Sequence, residues 1–160
     1  MHKHKLSLVI LLLVLSGCDW FSTGPSWVVK RLMAAAQQGD VDEMVSLWSR
    51  RAVQEQGENQ IRKAAQGFAE TNRQARATGE KLEVANVRET IQGDRARVFF
   101  FYRDTKGTDS VAMGFALLKE NGKWKIYRGL DRGDEGKPFD SSFAERSAPG
   151  PSTNESSPTR

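Results

Sequence analysis

The dipeptide Asn121-Gly122 lies between two runs of alternating apolar and polar residues, which is the strongest short signal of a β-hairpin. Two further turn-forming segments, Gly93-Asp94 and residues 104–109, divide the second half of the chain into four runs rich in Val, Ile, Phe and Tyr. These runs are Lys81 to Ile91, Arg95 to Arg103, Ser110 to Lys119 and Lys123 to Leu130. We predict four antiparallel strands in meander order.

The first half of the chain places its apolar residues at helical spacing. The pattern predicts a first helix from Pro25 to Gly39, a shorter second helix capped by Asp40, and a third helix from about Glu58 to Ala77. Each apolar stripe needs a covering surface. We therefore expect an α+β domain over residues 25–131, with three N-terminal helices packed on one face of a curved four-stranded sheet.

The turns also predict the register of the strands. The predicted pairs are Leu117 with Ile126, Phe115 with Arg128, Tyr102 with Val111 and Val98 with Phe115. The helix-covered face then carries Val98, Phe100, Tyr102, Val111, Met113, Phe115, Leu117, Trp124, Ile126 and Arg128. In the first strand, Leu82 and Val84 differ in parity from Val87 and Ile91, and a bulge near Ala85-Asn86 reconciles the two halves.

Candidate pocket residues lie on the helix-covered face and on the helices above it, and they line a pocket only if the space between the two layers stays open. They are Trp48, Phe68, Glu89, Phe100, Tyr102, Phe115, Trp124 and Arg128. The alternative is that the aromatic members of this set fill the core. An inward-facing Arg128 needs an anionic partner, which is either a carboxylate such as Glu89 or Glu70, or an anionic ligand.

The opposite face of the sheet carries an apolar band around small residues, formed by Phe99, Phe101, Leu118 and Tyr127. Two interpretations are open for this band. It is either a surface for a partner or a second copy of the chain, or a set of aromatic side chains resting on an exposed sheet.

The order of elements resembles the cone-shaped α+β fold of the nuclear transport factor two-like, or cystatin-like, superfamily. The marks that carry the resemblance are Pro25, the pair Gly39-Asp40, and the hairpin Asn121-Gly122-Lys123-Trp124-Lys125-Ile126. The resemblance implies a pocket at the wide end of the cone, where relatives bind small ligands or proteins and a few act as isomerases. It concerns a fold and does not by itself indicate an activity.

The amino end has the organisation of a secretory signal. His2, Lys3, His4 and Lys5 form a basic region, and an apolar run of ten residues from Leu6 to Leu15 follows. This run is too short to cross a hydrocarbon core of ~30 Å as a helix. We expect residues 1–17 to be a cleaved leader.

The sequence Leu15-Ser16-Gly17-Cys18 directly after this run resembles the lipobox of bacterial lipoproteins. The resemblance implies cleavage between Gly17 and Cys18 and acylation of the Cys18 thiol, with residues 18–24 as the lipidated linker. It places the protein in the bacterial cell envelope, lipid-anchored and facing the periplasm. Asp19 resembles the residue that retains such proteins in the inner membrane, and the outer membrane remains the alternative.

Removal of the leader changes the chemistry that is available. Both histidines precede Cys18, and Cys18 is the only cysteine, so the processed chain has no imidazole and no free thiol. This excludes Ser-His-Asp and Cys-His catalysis and the usual zinc sites, and we expect no metal ion and no cofactor. The 24 Lys and Arg residues include Lys3 and Lys5, whereas all 20 Asp and Glu residues follow Cys18, so the processed chain is nearly neutral. Nucleic acid is therefore not an expected partner.

Residues 132–160 are rich in Ser, Pro, Gly and Thr, and we predict a disordered C-terminal tail there. The favoured function is a non-catalytic, membrane-tethered domain that binds an envelope protein or a small ligand. One alternative is a small pocket enzyme of the isomerase or hydratase type that uses Glu89 with Tyr102. The other is a structural module that dimerises through the band of Phe99 and Phe101.

Overall fold

A computed structural model of the protein describes residues 24–106 and 110–144. Within these residues, four α-helices precede four strands, and two short 3₁₀ turns follow. The helices are α1 (Pro25–Gln38), α2 (Val41–Ser46), α3 (Arg50–Gln56) and α4 (Glu58–Ala77); the strands are β1 (Leu82–Gln92), β2 (Arg95–Asp104), β3 (Ser110–Glu120) and β4 (Lys123–Leu130). The strands form one antiparallel sheet in the order β1-β2-β3-β4, as predicted.

The ends of α1, α2 and α4 agree with the sequence signals. Pro25 is the first residue of α1, and Gly39 ends that helix in the left-handed conformation, with a φ of 76°. The Asp40 carboxylate caps α2 by accepting a 3.0 Å hydrogen bond from the Glu43 backbone N–H. The helix α4 spans the predicted range and is followed by Gly79 with a φ of 80°.

Helix α3 was not predicted. Its cap is Ser49, whose hydroxyl accepts a 3.0 Å hydrogen bond from the Ala52 backbone N–H. Only Ala52 is buried among its seven residues, so the helix has no apolar stripe by which the sequence could reveal it. The segment before it protects the outer edge of the sheet, because Ser49 N–H donates to the Ile126 carbonyl at 2.7 Å and Ile126 N–H donates to the Leu47 carbonyl at 2.9 Å.

The predicted register is confirmed over most of the sheet. Tyr102 lies opposite Val111, Val98 opposite Phe115, and Leu117 opposite Ile126. The bulge in β1 is also confirmed, since the register shifts between Ala85 and Arg88 and Asn86 has a φ of 51°. Val84 and Val87 consequently pack against the same core.

The predicted pair of Phe115 with Arg128 is wrong. A second bulge follows Ile126, so that Ala116 lies opposite Arg128 and Phe115 lies opposite Gly129. Tyr127 is the extra residue on β4. Arg128 therefore belongs to the sheet face that points away from the helices, and its guanidinium needs no partner in the core.

The main core lies between the helices and one sheet face. Eight strand residues of this face are buried: Ala96, Val98, Phe100, Tyr102, Phe115, Leu117, Trp124 and Ile126. They pack against apolar residues of the first two helices, among them Val29 and Met33, and against Ala65 and Ala69 of α4. Val111 belongs to the same face by register but is 63% exposed, because the helices do not cover this end of the sheet.

The other face is covered by residues that the sequence assigned to a disordered tail. Residues 132–144 contain the 3₁₀ turns Arg132–Asp134 and Phe139–Phe143. Phe143 is buried, and its ring stacks on Tyr127 with 6.2 Å between ring centroids. The packed unit thus extends to Ala144 rather than ending at Asp131. Residues 145–160, the leader and Cys18 lie outside the described residues.

Candidate functional site

The candidate site is a groove of about 760 Å³ at the end of the sheet where β3 begins and β4 ends. The C-terminal residues of α3 form one wall, and the strands form the floor and the other wall. The lining residues are Glu55, Gln56, Val111, Ala112, Met113, Gly114, Phe115, Tyr127, Arg128, Gly129, Leu130 and Asp131.

The groove exists because two neighbouring strands differ in length at this end. The pairing of β3 with β4 stops at Gly114, opposite Leu130, whereas β3 begins four residues earlier at Ser110. On its other side the segment from Ser110 to Met113 pairs fully with β2. Val111 and Met113 thus offer an apolar floor beside a strand edge that β4 does not cover.

One wall of the groove carries a polar cluster. The Tyr127 hydroxyl donates a 2.7 Å hydrogen bond to Glu55 Oε2, and Arg51 Nε donates to Glu55 Oε1 at 2.6 Å. The Arg51 guanidinium also lies 4.8 Å from the centroid of the Tyr127 ring. Gln56 Nε2 donates to the Tyr127 carbonyl at 3.1 Å and so fixes the end of α3 to the bulged strand.

This cluster keeps the carboxylate charged and the phenol neutral. Burial opposes ionisation of Glu55, but the hydrogen bonds from Arg51 and Tyr127 outweigh it, so the pKa of Glu55 lies below its ordinary value. Burial, together with the hydrogen bond to Glu55, raises the pKa of Tyr127. A carboxylate engaged in this way is a weak proton acceptor.

Arg128 lines the groove, but it belongs to the sheet face opposite to the predicted one. Its guanidinium lies 5.1 Å from the centroid of the Tyr127 ring and donates a hydrogen bond to the Ala144 carbonyl. The carboxylates proposed as its partners are engaged elsewhere. Glu70 pairs with Arg73 at 2.6 Å, and Glu89 accepts a 2.8 Å hydrogen bond from Ser26 N–H.

Of the predicted pocket residues, Phe115 and Arg128 line the groove. Phe100, Tyr102 and Trp124 are buried in the core, and Trp48 and Phe68 pack against it half-buried. Sequence reasoning missed Glu55, because α3 itself was not predicted. The signal that could have indicated it is the spacing of Arg51 and Glu55, which places opposite charges four residues apart behind a serine cap.

The structure does not bring Glu89 and Tyr102 together. Glu89 binds Ser26 in the first turn of α1, through the Ser26 N–H and hydroxyl. Tyr102 accepts a 3.1 Å hydrogen bond from Gln37 Nε2, in the last turn of the same helix, and donates to Asn72 Oδ1. The two side chains therefore lie near opposite ends of a helix of 14 residues, which is about 20 Å long. They cannot act on one substrate atom.

The apolar band on the other sheet face is not an open surface. Phe99 and Tyr127 are buried in a cluster that includes Phe143, and Phe139 packs against it. Phe101 and Leu118 are half-buried. The covering segment belongs to the chain itself, so Phe99 and Tyr127 do not lie on an exposed sheet face.

Across residues 24–106 and 110–144, no group of three His, Cys, Asp or Glu side chains is placed to hold a metal ion. None of the helices in these ranges combines the length and the apolar character that crossing a bilayer requires.

With its helices packed on a four-stranded antiparallel meander, the domain has the predicted α+β architecture. A protein from Thiobacillus denitrificans, provisionally named a calcium/calmodulin-dependent protein kinase type II association domain, is similar at a TM-score of 0.52 and 16% identity, over 67% of this chain and 92% of that one. An NTF2-like protein with a cystatin-like fold from Novosphingobium aromaticivorans gives a TM-score of 0.47 and 18% identity, over 81% and 89% of the two chains.

The similarity to the Thiobacillus denitrificans protein concerns the fold alone, since the identity is 16%. No protein-family model matches the sequence. No curated protein is significantly similar to it either. Any statement about function therefore depends on the residues of this chain.

Proposed function

We propose that this protein is a bacterial envelope lipoprotein whose domain is non-catalytic and binds a segment of a partner protein or a small ligand in the groove. The observation that carries the proposal is the position of the groove relative to Gly24. The groove lies between β3 and β4, at the end formed by Ser110 and Leu130, whereas the chain enters the domain beside Glu89 in the second half of β1, the strand at the opposite edge of the sheet.

The hydrogen bonds of α1 define these two ends. Ser26 in its first turn binds Glu89, near the end of β1, and Gln37 in its last turn donates to the Leu82 carbonyl, at the beginning of β1. Helix α1 is thus antiparallel to β1. A strand of 11 residues such as β3 spans about 36 Å. A domain held by residues that precede Gly24 presents its groove to the periplasm rather than to the membrane.

The tether in this proposal is the acylated Cys18. The apolar run from Leu6 to Leu15 ends three residues before this cysteine, and acyl chains contribute ~0.8 kcal/mol for each buried methylene. Two or three such chains hold a protein on a membrane without a spanning helix. Asp19 favours the inner membrane in this proposal.

Binding rather than catalysis is supported by the state of the groove's ionisable groups. Glu55 is held by Arg51 and Tyr127, and its lowered pKa makes it a poor base near neutral pH. The apolar floor and the uncovered strand edge suit an extended segment or an apolar ligand. A partner segment could pair with the backbone of residues 110–113.

The tether is tested by Cys18→Ser in cells fed labelled palmitate. We expect the substitution to abolish labelling and to release the protein from the membrane fraction. Labelling and fractionation unchanged by Cys18→Ser would refute the lipoprotein assignment.

The groove is tested by a photoreactive amino acid at Val111, which is exposed on the groove floor. We expect a discrete adduct in cells, lost when Gly129→Trp fills the groove; no atom lies within 4 Å of a Cβ at Gly129. Gly133→Trp is the matched control, because Gly133 is equally open but lies outside the groove.

A ligand would appear instead as a bound mass on the purified protein, lost with Gly129→Trp and kept with Gly133→Trp. The absence of both an adduct and a bound mass would contradict binding in the groove. An adduct or a bound mass that persists in Gly129→Trp would contradict it as well.

A further inference from the structure

We infer that the end of the domain opposite the groove is a membrane-contact surface, with Trp27 and Ile91 at the level of the lipid headgroups. This inference rests on the proposed acylation of Cys18. It adds that the folded domain itself binds the lipid surface, in addition to being attached to it through Cys18. This contact fixes the orientation of the domain on the membrane.

The length of the tether brings this end to the membrane. Gly24 caps α1 and follows Cys18 by six residues, which span at most about 21 Å when fully extended. Two residues of this stretch, Trp20 and Phe21, are aromatic. Trp in particular favours the interface between hydrocarbon and water.

The same end exposes apolar side chains. In the described part of the chain, three large apolar residues expose more than a third of their surface: Trp27 (38%), Ile91 (48%) and Val111 (63%). Val111 belongs to the groove. Trp27 directly follows Ser26, which is bonded to Glu89, and Ile91 lies two residues beyond Glu89 on the same face of β1. Trp27 in the first turn of α1 and Ile91 near the end of β1 are thus the two exposed apolar residues of this set on the elements next to Gly24.

Trp27 is held in place at this surface. Glu89 accepts hydrogen bonds from the N–H and the hydroxyl of Ser26 and so fixes the first turn of α1 against β1. The Arg31 guanidinium lies 5.1 Å from the centroid of the Trp27 ring and also pairs with Glu43. An ordered Trp loses little conformational entropy when it enters an interface.

Cationic side chains accompany these apolar residues. The turn at Asn121-Gly122 lies at the same end of the sheet, and Lys119 and Lys123 on either side of it are exposed. Two exposed acids lie near these residues: Glu89, which is bonded to Ser26, and Asp94 in the neighbouring turn, whose carbonyl accepts a 2.8 Å hydrogen bond from Lys119 N–H. The two lysines complement the charge of anionic phospholipids.

The test uses the acylated full-length chain with one introduced cysteine. Because acylation consumes the only native thiol, a nitroxide label reports the introduced position alone. Ile91→Cys labels the proposed contact, and Thr105→Cys is the matched control, since Thr105 is also exposed but follows β2 at the groove end. The proteins are reconstituted in vesicles of phosphatidylethanolamine and phosphatidylglycerol.

We expect the label at position 91 to be shielded from a water-soluble nickel complex and accessible to oxygen, and the label at position 105 to show the reverse. Equal exposure of the two labels to the nickel complex would overturn the inference.

Failure of the underlying proposal has a different signature. A chain that is not acylated at Cys18 takes up the label without any introduced cysteine and does not float with the vesicles. An acylated protein whose position 91 faces water refutes the membrane contact and leaves the tether intact.

Discussion

The Tyr127 hydroxyl donates a 2.7 Å hydrogen bond to Glu55, and this contact joins the bulge of β4 to α3 at the wall of the groove. Tyr127 is 1% exposed, whereas the Glu55 side chain is 36% exposed. The donor is therefore shielded from water, and the acceptor is only partly shielded. This difference in exposure between donor and acceptor determines how much stability is lost when the bond is broken.

Tyr127→Phe removes the donor and leaves a carboxylate that water can still reach. We expect a loss of about 1 kcal/mol in the free energy of unfolding, measured by urea titration. The pKa of Glu55 should rise towards its ordinary value, which carboxylate NMR titration would detect. An unchanged pKa would contradict the role assigned to this bond.

The lowered pKa of Glu55 also predicts a dependence on pH. Because the pKa is lower in the folded state, the contribution of Glu55 to stability is fully present above its unfolded value of about 4.5 and is lost as the pH falls through the folded value. In Glu55→Gln, the loss of stability between neutral and acidic pH should therefore be smaller than in the wild type. Unfolding free energies measured across this range would show it, and parallel curves would contradict it.

Tyr102→Phe breaks a hydrogen bond with a different outcome. Its acceptor, Asn72 Oδ1, belongs to a side chain that is 1% exposed, so the substitution leaves a buried amide oxygen without its partner. We expect a loss of about 1–3 kcal/mol, more than for Tyr127→Phe, measured in the same urea titration. Tyr127→Phe serves as the control. A smaller loss of unfolding free energy in Tyr102→Phe than in Tyr127→Phe would be inconsistent with the hydrogen bond between Tyr102 and Asn72.

Phe143→Ala tests whether the segment after Asp131 belongs to the domain. Phe143 is 5% exposed and contacts Tyr127 and Phe139. Truncation of a buried Phe costs about 3–5 kcal/mol, and we expect faster hydrogen exchange over residues 132–144. Phe139→Ala is the control, with a smaller effect because Phe139 is only half-buried. A loss below that of the control would show that the segment contributes little to the fold.

Gly114→Ala tests the close packing beside the groove. A Cβ at this position would lie 2.5 Å from Phe99 Cδ1 and 3.2 Å from Leu130 Cβ. We expect a loss of about 1–3 kcal/mol from the required shifts. Gly129→Ala, on the neighbouring strand, meets no atom within 4 Å and should stay within about 0.5 kcal/mol of the wild type. Thermal unfolding of the two variants would decide, and equal midpoints would contradict the packing described.

The two bulges show how far the register could be predicted. In β1 the apolar residues change parity between Val84 and Val87, and a change of parity in residues that must face the core reveals an inserted residue. In β4 the inserted residue is Tyr127, followed by Arg128, and both have amphipathic side chains that either face accepts. The sequence therefore contained no sign of the second bulge, and the predicted direction of Arg128 was wrong.

By itself, the sequence determined the order of helices and strands, the helix caps at Asp40 and Gly39, and the pairs near the Asn121-Gly122 turn, because these depend on neighbours along the chain. The groove, and the covering of the second sheet face by residues 132–144, depend on tertiary contacts and were evident only from the structure. The groove depends on where β4 leaves β3, and Phe139 and Phe143 are ordered by Phe99 and Tyr127 on distant strands. Two apolar residues in a polar segment cannot order it by local interactions, but they can when a sheet elsewhere in the chain supplies their partners.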